Sequence, residues 1–271
     1  MHKTLSQTLL AAFCAILVHT SLEGGGVMLI GMRNAMLSGG GKLSAKSYIQ
    51  DGLVAMWDGI ENAGWGTHDS AATTWKDLIG NCDWTLGTST SYEWTANSFD
   101  AKDQFAATQD FIDGSTVTTV EVCAKIKTQT TWVSGNHAFV IIGCISGSGS
   151  PPYYGLLYRN ASSDLALMGG RSYFHGTASE FAGVAASFSF PNYATTSVSG
   201  YFNGTPRAAS GNNTLDYNAT TRGTVARIGG TASQSMPIEV YNIRLYSLAL
   251  TAAEIAANYA VDVARFNLPT A

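Results

Sequence analysis

The stretch IEVYNIRLYSLALTAAEI, residues 238–255, carries the most specific fold signal in this 271-residue chain. Its first half, residues 238–246, is rich in β-branched and aromatic side chains, which predicts a β-strand. Shortly after it, Thr251 and Glu254 have the spacing of a capping box, in which each side chain accepts a hydrogen bond from the other residue's backbone amide. The stretch therefore predicts a strand that is followed at once by a helix.

The predicted helix has an apolar side. Leu250 and Ile255 are placed to pack on each other across the start of the helix as a hydrophobic staple. Ile255 and Tyr259 share one helical face with Asp262 or Val263, and we expect the helix to end near Val263. The helix should therefore pack against the body of the protein.

Short strands and tight turns fill the chain upstream of this stretch. Residues 120–127 alternate between apolar and mostly polar side chains, which predicts a strand with one buried face and one face in solvent. Asn203 and Gly204 predict a tight hairpin turn, because both residue types tolerate positive φ angles. Further strands are predicted at residues 53–57, 138–145, 154–159, 165–168, 180–188, 196–202 and 224–228. This pattern is typical of an all-β sandwich or barrel.

The composition indicates a folded protein that does not bind nucleic acid. Hydrophobic residues make up 45% of the chain and charged residues 13%, which provides enough apolar surface for a core. The formal net charge is −4, and the 15 lysines and arginines are scattered along the chain. The sequence therefore lacks the clustered basic residues that a phosphate backbone would need.

The four cysteines are far apart in sequence and form no C-x-x-C pair. They are Cys14, Cys82, Cys123 and Cys144. This spacing indicates neither a zinc site nor a redox motif, and we expect free thiols. A bridge between Cys123 and Cys144 stays open as an alternative, because both residues lie in predicted strands.

The amino-terminal segment, residues 1–46, is predicted to be a tail or anchor that precedes a domain of residues 47–271. Residues 9–18 form an apolar run about half as long as a membrane-spanning helix, which resembles the hydrophobic region of a signal peptide. Alternatively, translation begins at one of the three methionines in residues 28–36, and the earlier residues are not part of the protein. In either case, the glycines in residues 38–41 predict a flexible linker.

Four blocks of the sequence resemble the concanavalin A-like lectin/glucanase superfamily, and most closely its laminin-G-like (LamG) jelly-roll domains. The blocks are DGLVAMW at residues 51–57, SFDAKD at 98–103, GYFNG at 200–204 and the stretch at 238–255. The likeness covers roughly residues 48–266. It implies an all-β fold, an antiparallel jelly-roll β-sandwich with one short carboxy-terminal helix.

The second block departs from the family pattern F-D-G-x-D-D. It retains Asp100 and Asp103, but Ala101 and Gln104 replace the usual glycine and second aspartate. In the last block, Leu248 replaces a common arginine. The resemblance implies a Ca²⁺ site at Asp100 and Asp103, although with fewer carboxylates than calcium prefers. We expect no other cofactor.

Domains of this family occur in phage and prophage structural proteins, in bacterial surface proteins and as accessory modules of glycan-active enzymes. The resemblance therefore implies a binding module that recognises a glycan or a cell-surface receptor. Its expected location is a virion or the extracellular cell surface, or alternatively the protein is secreted. A second hypothesis is a purely structural role in virion assembly or decoration, in which the tail docks to assembly partners. A homo-oligomer is compatible with both hypotheses.

The sequence contains no recognisable catalytic site, and we expect a non-enzymatic protein. Retaining glycosidases place two carboxylates about 5 Å apart, and the enzymes of this superfamily usually carry them on nearby residues of one strand. None of the seven glutamates has an acidic partner two residues away. Glu121 and Glu239 are isolated in predicted strands and are interpreted as solvent-facing side chains. A glycoside hydrolase therefore ranks third among the hypotheses.

Exposed aromatic residues are the candidates for ligand binding. Sugars present apolar C–H faces that stack on indole and phenol rings, while their hydroxyls bond to amides and carboxylates. Trp65 lies between two glycines that cannot bury it, and His68 and Asp69 follow closely in sequence. These three residues form the first candidate site. The alternative interpretation is that Trp65 is largely buried, as most tryptophans are.

A second aromatic group is a candidate for a groove or for an interface between protomers, because aromatic residues are enriched in both. It consists of Tyr153, Tyr154, Tyr173 and His175. Three other tryptophans are expected in the core. They are Trp57, Trp75 and Trp84.

Overall fold

The computed structural model of the protein describes residues 43–80, 82–86, 91–102, 106–110, 117–127, 137–144, 155–161, 164–169, 172–176, 183–191, 200–209, 211–212, 225–229 and 237–269. In these ranges the chain forms short strands, a one-turn 3-10 helix at Ala45–Ser47 and a longer helix, α1, at Ala252–Phe266. None of the helices in these ranges combines the length and the apolar character that are needed to cross a bilayer.

The strands of the described ranges are short. They are β1 Leu53–Asp58, β2 Thr74–Trp75, β3 Trp84–Thr85, β4 Tyr92–Trp94, β5 Phe99–Ala101, β6 Ala106–Asp110, β7 Thr119–Ile126, β8 His137–Cys144, β9 Gly155–Ala161, β10 Asp164–Gly169, β11 Ser172–Gly176, β12 Ala185–Phe190, β13 Gly200–Phe202, β14 Thr205–Arg207, β15 Gly211–Asn212, β16 Val225–Gly229 and β17 Ile238–Tyr246. Strand β17 has the bounds that the sequence predicts. The largest difference is at β12, which begins at Ala185 within the predicted segment 180–188, whereas residues 196–199 of the predicted segment 196–202 lie outside the described residues.

Two antiparallel sheets contain most of the strands. The first sheet has the order β14-β13-β12-β7-β17-β5-β4, and β1 also pairs with β17. The second sheet has the order β15-β11-β10-β9-β8-β16-β6, while β2 and β3 pair separately. Strands that are far apart in sequence therefore become neighbours, as β7 and β17 do. The predicted antiparallel β-sandwich with a carboxy-terminal helix is confirmed.

Strand β17 lies in the middle of the first sheet. It pairs with β7 along its length, while β5 pairs with residues 238–240 and β1 pairs with residues 242–246. The register with β7 shifts between Val240 and Asn242, which makes Tyr241 a β-bulge. The Tyr241 carbonyl oxygen accepts a hydrogen bond of 2.8 Å from the amide of Gly59, the residue that follows β1. The bulge therefore ties the middle of the sheet to the loop that follows β1.

The main apolar core lies between the two sheets. Apolar residues of β1, β7, β12 and β17 form one cluster with Ile228 of β16, which belongs to the second sheet. The cluster includes the three tryptophans that the sequence assigns to the core, Trp57, Trp75 and Trp84. The Trp75 ring packs on the rings of Trp94 and Phe99, with centroid distances of 5.3 and 5.4 Å. These contacts hold β2 and thereby fix the far end of the loop between β1 and β2.

Helix α1 covers the opposite face of the first sheet and forms a second apolar layer there. Tyr259 and Phe266 of the helix lie in one cluster with Cys123 of β7 and Tyr241 of β17. The face of β7 that the sequence placed in solvent is therefore largely buried, and that prediction is wrong. Glu121 on this face is fully buried, so its interpretation as a solvent-facing side chain is also wrong. Strand periodicity indicates which side chains share a face, but it cannot indicate that a distant helix covers that face.

The ends of α1 follow the sequence signals. The Thr251 hydroxyl accepts a hydrogen bond from the Glu254 amide, and the Glu254 carboxylate accepts one of 2.7 Å from the Thr251 amide. The predicted capping box is therefore confirmed. The helix continues to Phe266, slightly past the predicted end, and Asn267 terminates it in the left-handed conformation with a φ of 54°.

The turn between β13 and β14 has the predicted hairpin form. Asn203 and Gly204 have φ angles of 51° and 74°, as a tight turn between twisted strands requires. A Cβ atom at Gly204 would lie 3.0 Å from Cδ1 of Tyr259 in α1. The turn is therefore also a place where the helix approaches the sheet closely.

Residues 44–46, which the sequence placed in the tail, contact the domain. Ala45 is fully buried, and its amide donates a hydrogen bond of 2.7 Å to Oε1 of Glu61. Tyr48 is also buried, and its hydroxyl donates a hydrogen bond of 2.8 Å to Oδ1 of Asp262 in α1. The earlier part of the predicted tail, up to residue 42, lies outside the described residues.

The thiol of Cys123 is free, as expected. Cys123 lies in β7 of the first sheet, whereas Cys144 lies at the end of β8 in the second sheet, and the alternative disulfide is not formed. Burial raises the pKa of the Cys123 thiol well above its ordinary value, which makes it a poor nucleophile. Cys14 lies outside the described residues.

Candidate functional site

The loop between β1 and β2 presents Trp65 to solvent. The exposed fraction of Trp65 is 39%, which is large for a tryptophan. The flanking Gly64 and Gly66 have φ angles of 124° and 70°, which side chains rarely adopt, and a Cβ atom on either would meet nothing within 4 Å. The prediction that the glycines leave the indole ring exposed is therefore confirmed.

Glu61 holds this loop from beneath. Its Oε2 atom accepts a hydrogen bond of 2.9 Å from the Gly66 amide. Its Oε1 atom accepts two more, of 2.7 Å from the Ala45 amide and of 3.1 Å from Nη2 of Arg265 at the end of α1. A carboxylate that accepts several hydrogen bonds is firmly oriented. One buried side chain therefore joins the Trp65 loop, the start of the domain and the end of the helix.

Asn62 makes the second attachment. Its side chain is fully buried, and its amide group pairs with the backbone of Asp69 through two hydrogen bonds of 2.8 Å each. The backbone carbonyl oxygen of Asn62 accepts a further hydrogen bond of 2.9 Å from the backbone amide of Lys76, just after β2. The two adjacent residues Glu61 and Asn62 thus fix the loop at two points, Gly66 and Asp69.

His68 and Asp69 lie on the same loop as Trp65, and all three are exposed. The Nδ1 atom of His68 lies 3.2 Å from the carbonyl oxygen of Gly59, which can only accept a hydrogen bond. This contact favours the proton on Nδ1 and leaves Nε2 as an acceptor. The Asp69 carboxylate accepts a hydrogen bond of 2.8 Å from the Ala71 amide. The three residues of the first candidate site are therefore held on one anchored loop.

A fourth residue belongs to this site and was not found from the sequence. The ammonium group of Lys46 lies over the Trp65 ring, 5.1 Å from its centroid, which is within the range of a cation–π contact. Lys46 belongs to the short 3-10 helix at the start of the domain, a segment that the sequence assigned to the tail. The buried Ala45 and its hydrogen bond to Glu61 help to place Lys46 beside the loop.

The second aromatic group is described only in part. Tyr173 and His175 both lie in β11, where they pair with Met168 and Ala166 of β10. Tyr153 and Tyr154 lie outside the described residues. The prediction that these four residues form a groove or a protomer interface therefore stays a prediction.

The predicted calcium ligand Asp100 is already paired with a cation. It lies in β5, and both of its carboxylate oxygens accept hydrogen bonds from Nζ of Lys127, at 2.5 and 2.6 Å. Asp103, the other predicted ligand, lies outside the described residues. Among the residues that are described, no group of three or more histidines, cysteines, aspartates or glutamates is arranged to hold a metal ion. The calcium site therefore stays a prediction.

The sheet brings together acidic residues that are far apart in sequence. Glu93 of β4, Asp100 of β5 and Glu239 of β17 are consecutive cross-strand partners. Each has a lysine partner, since Lys102 contacts Glu93 and Lys127 contacts Asp100, while Lys125 lies near Glu239. Glu239 is partly buried and also accepts a hydrogen bond of 2.7 Å from the Ser98 hydroxyl. The sequence missed this row because strand order decides which residues face each other.

A buried charge network joins the first sheet to α1. The Arg244 guanidinium in β17 donates a hydrogen bond of 2.9 Å to Glu121 of β7. It donates two more, of 2.7 and 2.9 Å, to the carboxylate of Asp262 in α1. Ser189 and Asn258 donate further hydrogen bonds to Glu121, of 2.8 and 2.7 Å. All three charged side chains are excluded from solvent.

The two acids of the network respond differently to burial. Burial raises the pKa of Glu121 above its ordinary value, and Arg244 offsets this only in part. Burial also acts to raise the pKa of Asp262, but the Arg244 guanidinium and the hydrogen bonds from Asn242 and Tyr48 outweigh it. The pKa of Asp262 is therefore held below its ordinary value. Two carboxylates that share a fully buried arginine are not accessible to a sugar.

A second arginine links the end of α1 to the start of the Trp65 loop. Arg265 donates two hydrogen bonds to the Asp58 carboxylate, of 2.6 and 3.0 Å, in addition to its contact with Glu61. Asp58 also accepts a bond of 2.9 Å from the Glu61 amide. The buried Tyr48 ring lies beside both arginines, with centroid distances of 4.1 Å from Arg244 and 5.4 Å from Arg265. The helix, the start of the domain and the loop are therefore fixed together.

No protein-family model matches the sequence, and no curated protein matches it. Solved structures do match the fold. Sialidase from Trypanosoma rangeli superposes with a TM-score of 0.57 at 19% identity, covering 77% of this chain and 32% of the sialidase chain. The same sialidase with 2,3-difluorosialic acid, described as a covalent intermediate, gives a TM-score of 0.58 at 18% identity, covering 82% of this chain and 35% of that chain.

A toxin domain has a similar fold. The receptor-binding domain of botulinum neurotoxin C/D mosaic serotype superposes with a TM-score of 0.50 at 13% identity, covering 78% of this chain and 51% of that chain. The present chain thus spans about a third of the sialidase chains and about half of the toxin chain. At these identities the likeness concerns the fold, and it agrees with a β-sandwich.

Proposed function

We propose that this chain is a non-enzymatic recognition module that binds a glycan, free or carried by a cell-surface receptor, on the Trp65 loop. The observation that carries the proposal is the exposed Trp65 ring on a loop that Glu61 and Asn62 hold in one conformation. Indole rings stack on the apolar faces of sugars, and the adjacent His68 and Asp69 offer polar groups to sugar hydroxyls.

The anchoring of the loop supports a binding role. An exposed tryptophan exposes apolar surface to water, which is unfavourable unless a partner covers it. A loop that is already ordered in the free protein loses little conformational entropy when the ligand binds. The hydrogen bonds that Glu61 accepts from the Gly66 amide and that Asn62 accepts from the Asp69 amide supply that order. The cost of exposing Trp65 and the rigidity of its support are both explained if the ring stacks on a ligand.

Three acids of the described ranges support a non-enzymatic role. Glycoside hydrolysis needs two carboxylates that reach the substrate. Glu121 and Asp262 are fully buried and share Arg244, while Asp100 is paired with Lys127. These carboxylates are therefore committed to holding the fold. The sialidase likeness covers only about a third of that enzyme and brings no activity to this chain.

The same proposal includes the type of domain and the place where it acts. We infer that the domain is LamG-like and acts at an extracellular surface, either on a virion or on a cell, as an attachment component. Two points support this inference: the four sequence blocks that resemble LamG domains, and the likeness in fold to a toxin domain described as receptor-binding.

The experiment compares glycan-array binding of the wild-type chain and of two matched variants. Trp65→Ala is expected to lower binding of every bound glycan by at least about tenfold, because the stacking surface is lost. Ile79→Ala is the control, since Ile79 has nearly the same exposed fraction, 38%, but lies outside the loop. Absence of glycan binding by the wild type, or equal binding by wild type and Trp65→Ala, would contradict the proposal.

The second candidate function is a structural role as an assembly or decoration subunit of a virion. The observation that favours it is the firm attachment of the first described residues, since the Ala45 amide, the Tyr48 hydroxyl and the Ile49 amide all bond to the domain. A tail that leaves from such a point could transmit force to a partner. Deletion of residues 1–42 should then abolish incorporation into particles and leave a folded domain, and normal incorporation would contradict this role.

A further inference from the structure

Lys46 differs from the other lysines in the described part of the chain. The side chains of Lys76, Lys102, Lys125 and Lys127 each form an ion pair with a carboxylate. Lys46 has no such partner among the described residues, and its ammonium group lies over the Trp65 ring instead. In the described part of the chain, a positive charge that no carboxylate pairs with is therefore placed on the aromatic ring that we assign to ligand binding.

The backbone around Lys46 is fixed. Its amide donates a hydrogen bond of 3.3 Å to the Ser44 hydroxyl, which caps the 3-10 helix. The preceding residue, Ala45, is buried and bonded to Glu61, the carboxylate that also holds Gly66. Lys46 and Trp65 therefore approach each other from two segments that share one buried anchor. The backbone from which the charge projects is therefore held in place before any ligand arrives.

The acidic residues of the loop do not neutralise this charge by contact. Glu61 is buried and is occupied by Ala45, Gly66 and Arg265. Asp69 accepts a hydrogen bond from the Ala71 amide, and no ion pair joins it to Lys46. Since none of the described carboxylates pairs with it, the Lys46 ammonium is available to an anionic group of a ligand that stacks on Trp65. A neutral sugar would leave this group to water alone.

We propose that the Trp65 site selects acidic glycans, with Lys46 pairing to a carboxylate or sulfate group of the sugar that stacks on the ring. This inference rests on the proposed function and names its ligand class. A charge-assisted hydrogen bond at an exposed site contributes modestly, so the acidic member of a glycan pair should bind about two- to fivefold more tightly than its neutral parent. The preference should shrink at high ionic strength, because exposed charges are screened.

The test measures dissociation constants of the full chain for two pairs of probes. The first pair is 3′-sialyllactose and lactose, which differ by a sugar with a carboxylate. The second is 6-sulfated N-acetyllactosamine and its unsulfated parent, which differ only by a sulfate, so the two pairs distinguish the two anionic groups. Lys46→Met removes the charge, Lys46→Arg retains it, and Lys102→Met is the control for net charge, because Lys102 is paired with Glu93.

The wild type, Lys46→Arg and Lys102→Met should bind the acidic probe of each pair more tightly than the neutral one. In Lys46→Met the ratio of the two dissociation constants should be near one, with unchanged binding of the neutral parent. Absence of binding to both acidic probes, or equal affinity for acidic and neutral members, overturns the inference. An equal loss of affinity for the acidic and the neutral probe in Lys46→Met overturns it too, because Lys46 would then only support the loop. Trp65→Ala reports separately on the proposed function, since it should lower binding of acidic and neutral glycans alike.

Discussion

The guanidinium group of Arg244 donates two hydrogen bonds to the carboxylate of Asp262, of 2.7 and 2.9 Å, and neither side chain is exposed to solvent. Arg244 lies in the central strand β17 and Asp262 lies in helix α1. This bidentate pair therefore joins the sheet to the helix. Because the same guanidinium also contacts Glu121 of β7, one cation compensates two buried anions.

The first prediction concerns this cation. Arg244→Met fills a similar volume but leaves Glu121 and Asp262 buried without their partner. Loss of one member of a buried ion pair costs about 3–5 kcal/mol, so the free energy of unfolding in urea should fall by that amount. Arg244→Lys keeps the charge but not the planar fork, and it should give an intermediate loss. A loss below about 1 kcal/mol in Arg244→Met would show that the network is not needed for stability.

The second prediction concerns pH. The pKa of Asp262 is lowered in the folded state by Arg244, Asn242 and Tyr48, which outweigh its burial. An unfolded aspartate has a pKa of about 3.9. The carboxylate therefore contributes stability that is fully present above about pH 4 and is lost as the pH falls through the folded-state value.

Urea unfolding of the wild type at several acidic pH values should show this loss, and Asp262→Asn should reduce the slope below about pH 4. Asp83→Asn is the control, because Asp83 pairs with Lys76 at the surface. The same slope in wild type and Asp262→Asn would contradict the assignment.

The third prediction concerns the support of the Trp65 loop. Glu61→Gln retains one acceptor oxygen, which cannot serve Ala45, Gly66 and Arg265 as the carboxylate does. A hydrogen bond to a charged group is worth about 1.5–3 kcal/mol, so exchange of the Gly66 amide hydrogen should accelerate by at least about tenfold. Hydrogen exchange measured by NMR provides the readout.

Glu93→Gln is the matched control, because Glu93 pairs only with the exposed Lys102 among the described residues. Its effect on Gly66 exchange should be negligible. If Gly66 exchanges at the wild-type rate in Glu61→Gln, the loop is held by other contacts.

The fourth prediction concerns the start of the domain. A chain that begins at residue 50 lacks Ala45, Tyr48 and Ile49, whereas one that begins at residue 43 retains them. Tyr48 is buried and bonds to Asp262 and Asn242, while the Ile49 amide bonds to Asn258. The shorter chain should therefore be less stable than the longer one by at least about 3 kcal/mol in urea unfolding. Equal stability of the two chains would place the start of the domain after residue 49.

The sequence determined the features that depend on neighbours within a few positions. The capping box of Thr251 and Glu254, the Asn203 and Gly204 turn and the exposure of Trp65 between two glycines were all predicted and are confirmed. Apolar strand patterns together with the family resemblance also predicted the sandwich. These signals are local, because hydrogen bonds within one turn and side-chain alternation along one strand follow from adjacent residues.

Tertiary structure alone decided which distant residues meet. Glu121 was expected in solvent, yet β7 lies beside β17 under α1, where Arg244 and Asp262 enclose it. Lys46 was assigned to a tail, yet it lies on Trp65. Such contacts depend on the order of strands and on where a helix docks, which the whole chain determines through burial and chain closure. Trp65, His68 and Asp69 were thus identified from the sequence, but Lys46 and the residues that anchor the loop were not.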